Sequence, residues 1–151
     1  MAQESLYEAV GGAEGLLRLA HAWHRRCVED PIANHPFSHP NIHPQHTERL
    51  AAYLGEALGG PPTYTQQMGD ETFVRSLHAG NGMHEELDQR CIELFDLALQ
   101  DVGVSEDCRA CVANYFRHAT RTMALYPDKK DQVPKHLPLP RWSWDGFVQD
   151  V

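Results

Sequence analysis

Ten histidines in 151 residues are the chemical peculiarity of this chain, because a neutral imidazole can ligate a metal and can also carry protons near neutral pH. Three of them sit beside apolar stripes. His78 closes a short amphipathic run containing Phe73, Val74 and Leu77, just before the break Ala79-Gly80-Asn81-Gly82. His46 stands one turn before Leu50 on the same helical face, and His24 follows Trp23 at the edge of another stripe. One imidazole on one wall and two on the facing wall, with Phe73 and Leu77 as apolar lining, is a layout that suits a flat metal-bearing ring such as haem. A rival reading is a non-haem, histidine-rich metal protein using His35, His39, His43 and His46, with His21 and His24, since spacings of three and four residues align ligands on a helix face. Pro36, Pro40 and Pro44 interrupt the helix that this rival needs, and no acidic residue nearby completes a catalytic set.

The elements that must position these groups read as helices throughout. Leu16, Leu19, Ala20, Trp23 and Cys27 form one stripe between Ala13 and Asp30, preceded by a short helix around Ser5 to Val10 and stopped by Pro31. A third helix starts near Pro44, carries Leu50, Tyr53, Leu54, Ala57 and Leu58 on one face, and ends at Gly59-Gly60-Pro61-Pro62. Thr63 to Gly69 reads as loop, and Asp70 to His78 as a short helix. Two longer stripes follow, from Met83 to Val102 and from Cys108 to Met123, with a short break that makes them antiparallel neighbours. No alternating strand pattern of any length is visible. The expected fold is all-α.

Composition narrows the partners. Thirteen basic against 21 acidic residues leave a net charge of −8, which repels a phosphate backbone, so nucleic acid is not expected. No apolar run reaches the roughly 20 residues needed to span a bilayer, the start Met-Ala-Gln-Glu-Ser lacks signal-peptide features, and the four cysteines fall within helical patterns. The expectation is a cytoplasmic chain without membrane contact. Cys108 and Cys111 read as packing residues rather than a redox motif.

Five segments together resemble a bacterial truncated haemoglobin of the second group: Leu6-Tyr7-Glu8-Ala9-Val10-Gly11-Gly12, Val28-Glu29-Asp30-Pro31, Glu48-Arg49-Leu50 with Tyr53-Leu54, Leu58-Gly59-Gly60-Pro61-Pro62-Thr63-Tyr64, and Arg75-Ser76-Leu77-His78-Ala79. The resemblance implies a two-over-two helical sandwich over residues 1–126, a haem b cofactor, and a diatomic gas as ligand. By position it makes His78 the proximal iron ligand, Phe37 an aromatic contact to the haem, Leu50 part of the distal ceiling, and Arg49 and Tyr64 contacts to the propionates.

The chain also departs from that group. His24 stands where the family has a distal tyrosine, Cys91 where a tryptophan overhangs the ligand, and His46 where a small residue is usual. His24 and His46 are therefore the candidate distal and catalytic groups. An imidazole N–H beside a bound ligand would stabilise it by about 1.5–3 kcal/mol, either imidazole could instead ligate iron, and the same groups suit proton transfer in peroxidase-like or nitric-oxide-consuming turnover. Such turnover needs an electron donor or reductase. Residues 127–151 form a proline- and tryptophan-containing extension with Trp142, Trp144 and Phe147, expected to dock on its own domain or across a homodimer. A cofactor-free adaptor that grips a partner with this tail is the other alternative.

Overall fold

The computed structural model describes residues 4–34 and 44–148. Within them run α1 (Leu6–Val10), α2 (Gly12–Glu29), α3 (His46–Ala57), α4 (Thr63–Gln67), α5 (Glu71–His78), α6 (Glu85–Asp101) and α7 (Glu106–Met123). Three of these helices start on a short polar side chain that takes up an otherwise orphaned N–H. Ser5 accepts from Glu8 N–H at 3.1 Å, Asp70 from Phe73 N–H at 2.8 Å, and Ser105 from Cys108 N–H at 3.2 Å. Gly11, at φ 111°, ends α1 in the left-handed region and lets α2 start at once in a new direction.

The helices form two layers. α2 packs on α3, α6 packs on α7, and contact between α2 and α6 joins the pairs, which is the expected two-over-two sandwich. The seam is aromatic: Trp23 meets Phe95 and Phe116 edge-on at 6.1 and 5.4 Å, while Phe95 and Phe116 stack at 3.8 Å. Each such pair adds about 0.5–1.5 kcal/mol beyond the burial of its area. Gly60 is needed where the end of α3 crosses α1, because a Cβ there would lie 2.5 Å from the Tyr7 ring.

Two expectations need correction. Thr63 to Gln67 is helical, not loop, because the buried carboxylate of Glu56 accepts both the backbone N–H and the hydroxyl of Thr65, and Tyr64 is pulled into the core. That partner lies seven residues upstream of the segment's first residue, beyond any local pattern. A strand pair also exists, β1 (Arg141–Ser143) against β2 (Gly146–Val148), antiparallel with Trp142 opposite Phe147. Three-residue strands are too short to show alternation.

That hairpin lies against α3 and α7. Trp144 donates its indole N–H to the Glu4 carbonyl at 2.7 Å, and Trp142 packs on Tyr115 and His118 at 6.0 and 5.2 Å. The Cys111 thiol donates to the Trp144 carbonyl at 3.7 Å, and Cys108 is fully buried. Upstream, Thr72 of α5 donates its hydroxyl to the Pro134 carbonyl and accepts the Leu137 N–H. The extension thus braces both the helix that carries His78 and the N-terminal start of the chain.

Candidate functional site

α5 builds one wall. Its eight residues begin at the Asp70 cap and carry Val74 and His78 one turn apart, with Phe73 and Leu77 on the adjoining stripe. Phe73 and Leu77 are 44% and 55% exposed, and Met83 beyond the turn is 73% exposed, so large apolar side chains face outward where a short polar helix would ordinarily show charge. His78 stands among them with its outer edge open to solvent. Protein crowded around the ring nevertheless pushes its pKa below the ordinary imidazole value, with the Val74 carbonyl opposing the shift. His78 Nδ1 lies 2.8 Å from the Val74 carbonyl oxygen. A carbonyl can only accept, so Nδ1 carries the proton and Nε2 keeps its lone pair. A neutral imidazole with a fixed tautomer beside an open apolar wall fits an iron-bearing macrocycle.

Behind the wall is a buried polar chain. Glu71 is 1% exposed, accepts from the Tyr53 hydroxyl at 2.7 Å and pairs with Arg75 at 2.7 Å. Burial pushes its carboxyl pKa up, against the pull of Tyr53 and Arg75. The chain ties α5 to α3, joining the proximal helix to the helix of His46 and Leu50.

The residues expected on the facing side stand on α2, α3 and α6. The rings of His24 and His46 lie 6.3 Å apart at a 46° tilt, so the two imidazoles expected to face the ligand are neighbours. Burial lowers the pKa of His24, with a smaller contribution from His21. Leu50 packs partly buried against the core. Cys91 on α6 takes the Trp23 indole N–H on its carbonyl at 3.1 Å, which holds it next to the residue preceding His24. Trp23 therefore spends its N–H on the backbone.

Arg49 reaches the Met68 carbonyl at 3.2 Å and lies 5.9 Å above the Tyr64 ring. Tyr64 is 3% exposed and edge-on to Tyr53 at 5.5 Å. With one of its N–H donors on Met68, the guanidinium retains others. Phe37 lies outside the described residues, as do His35, His39 and His43 of the rival metal reading. Among the described residues no group of three or more His, Cys, Asp or Glu could hold a metal ion.

The family model for bacterial-like globins matches residues 5–125. The chain belongs to the bacterial-like globin family. A haemoglobin from the thermophilic phototroph Chloroflexus aurantiacus is similar at 29% identity, over 80% of this chain and 98% of that one, with a TM-score of 0.68. A thermostable haemoglobin from Thermobifida fusca matches at 27%, over 80% and 96%, with a TM-score of 0.66. The group II truncated haemoglobin of Bacillus anthracis shares the fold at 19% identity, over 88% and 100%, with a TM-score of 0.72. No protein of curated function matches the chain. As a truncated globin, this protein binds haem and a diatomic gas. No described helix is long and apolar enough to cross a membrane.

Sequence reasoning missed two parts of this globin's site. One is Glu71, whose spacing to Arg75 signals an ion pair but whose burial depends on Tyr53. The other is the pair of His84 and Asp88, 2.8 Å apart at the start of α6 and close enough to influence His78. The four-residue spacing of His84 and Asp88 was the available signal.

Proposed function

We propose that this globin carries haem b with His78 as the proximal iron ligand, and that it binds oxygen or a related diatomic gas reversibly on the side of His24 and His46. The observation that supports this most is the His78 tautomer: Nδ1 is committed to the Val74 carbonyl and Nε2 is free to ligate, beside exposed Phe73 and Leu77. Bound haem would supply the iron site at which the gas is taken up and any redox change that follows. Around it, Phe73 and Leu77 would cover the proximal face, Leu50 would exclude water from the distal side, and Arg49 would meet a propionate near Met68, with the buried Tyr64 ring beneath its guanidinium rather than in direct contact. Phe37 belongs to the same contact set by resemblance, and Cys91 fills the position of the family's overhanging tryptophan.

His24 and His46 take over ligand control from the missing tyrosine and tryptophan. Each imidazole can donate one N–H to a bound gas, and their adjacency suits proton transfer between them. Peroxidase-like or nitric-oxide-consuming turnover in the cytoplasm, with a reductase restoring the ferrous state, extends this reading. The test is direct. Protein taken up with haemin, reduced and titrated with oxygen or carbon monoxide should give a Soret shift with one ligand per chain. Failure to take up haemin, or a ferrous form that binds neither gas, overturns the reading.

A further inference from the structure

The chain beyond α7 returns to the helix that carries His78 and follows it from end to end. At the C-terminal end of α5, the Gly80 and Gly82 N–H groups donate to the Tyr126 and Pro127 carbonyls, each at 2.8 Å. Gly80 sits at φ 73°, and a Cβ there would meet the Lys130 side chain at 3.4 Å, so glycine lets the two segments approach closely. Val133 is buried midway along the segment. At the N-terminal end, the Thr72 hydroxyl donates to the Pro134 carbonyl at 2.9 Å and accepts from the Leu137 N–H at 3.0 Å. Residues 126–137 therefore run antiparallel to α5. By helical spacing, Thr72 and Ser76 occupy the stripe opposite Val74 and His78, so the segment grips the back of the helix. The turn that clasps Thr72 is strained: His136 has φ 59°, alone among the described non-glycine residues in lying in the left-handed region. Such a conformation persists where surrounding contacts hold it, and here both of the hydrogen bonds that flank it end on Thr72.

We propose that Thr72 is a positioning residue for the haem site: through it, residues 126–137 hold α5 in place and set how the His78 imidazole meets iron. The proposal rests on His78 being the proximal ligand. A helix of eight residues has little stability of its own, so the placement of His78 follows what α5 packs against. The Glu71–Tyr53 hydrogen bond ties its first turn to α3. On the other side the same first turn is tied through Thr72, and the residues just past its last turn through Gly80 and Gly82. The segment acts through the backbone of α5, without touching the haem itself.

The test compares Thr72→Val, which keeps the shape of the side chain but can neither donate nor accept, with Thr72→Ser, which can do both. In the deoxygenated ferrous protein, the iron–histidine stretching band should shift or broaden in Thr72→Val and return to its parent position in Thr72→Ser. Transfer of haemin to an acceptor globin should quicken by about tenfold in Thr72→Val, the equivalent of one lost hydrogen bond, and keep the parent rate in Thr72→Ser. A lowered melting temperature with band and transfer rate unchanged would make Thr72 merely structural and overturn the proposal. Absence of the band from the parent would overturn the His78 reading, and the proposal with it. Hydrogen exchange in the unsubstituted, haem-loaded protein decides the clasp even if Thr72→Val fails to fold. The Gly80, Gly82 and Leu137 amides should be protected, and exchange at unfolded-chain rates would overturn the proposal.

Discussion

The two walls proposed for the haem slot are built differently. On the α5 side, one helix of eight residues carries its own cap at Asp70, its own acceptor for His78 at Val74, and its own ion pair from Glu71 to Arg75. On the facing side the candidate groups are spread over three helices: His24 from α2 and His46 from α3 meet through the packing of the sandwich, and Cys91 from α6 is tied to α2 by its carbonyl at Trp23. A wall assembled within one short helix tolerates little substitution, because each group supports the next. A wall assembled from separate helices can exchange its donors while the backbone stays. The departures that the resemblance marks, His24 for a tyrosine, His46 for a small residue and Cys91 for a tryptophan, fall on that second wall.

The largest effect should come from the self-contained wall. His78→Gly should lose haem to an acceptor globin under conditions where the parent retains it; equal retention would mean that the distal wall holds the cofactor. Next is the link between walls. Glu71→Ala leaves the Tyr53 hydroxyl stranded in the core and the partly buried Arg75 without its partner, and should cost about 3 kcal/mol in a denaturant titration, whereas a loss of only a few tenths would mean that the two sides fold independently. A smaller effect belongs to the distributed wall. His24→Leu or His46→Leu should speed oxygen release by roughly 10- to 100-fold, the equivalent of one charge-assisted hydrogen bond, and the double variant should show which imidazole dominates. If neither changes release, the two are not ligand contacts.

Acid should act on both sides with one sign. The folded chain holds the pKa values of His78 and His24 below the usual value, burial being the main cause in each. The unfolded chain, with ordinary imidazoles near pH 6.5, therefore takes up protons that the folded chain refuses. Their contribution to stability is complete above that pH and is lost as the pH falls through the folded values. Melting temperatures should drop from about pH 7 downward, and His24→Asn should flatten part of the slope. In haem-free protein, a profile that is level down to about pH 5 would contradict the lowered pKa values of these rings. The mildest change is in the extension. Trp144→Phe removes the donor to the Glu4 carbonyl and should cost about 0.5–1.5 kcal/mol without altering the haem spectrum.

What could be read in the sequence follows the same division. The α5 wall was legible because its partners lie within four residues, so helical spacing alone placed Phe73, Leu77 and His78 together. The stripes of α2, α3, α6 and α7 gave the helices for the same reason, Gly11 and Gly59-Gly60 marked their turns, and the two-over-two sandwich came from the resemblance. The meeting of His24 with His46 came from resemblance in order, since no local pattern fixes the crossing of α2 with α3. α4 was hidden because its stability rests on Glu56 and the core side of Tyr64, and the hairpin because its residues are ordered by α3, α7 and Glu4.

The central claim is that His78 Nε2 is the axial nitrogen. Resonance Raman spectroscopy of the deoxygenated ferrous protein reads that bond. The account predicts an iron–histidine stretching band in the parent, its absence in His78→Gly, and its return when free imidazole is added to that variant. An unchanged band in His78→Gly without imidazole would assign the axial position to another histidine and contradict the account.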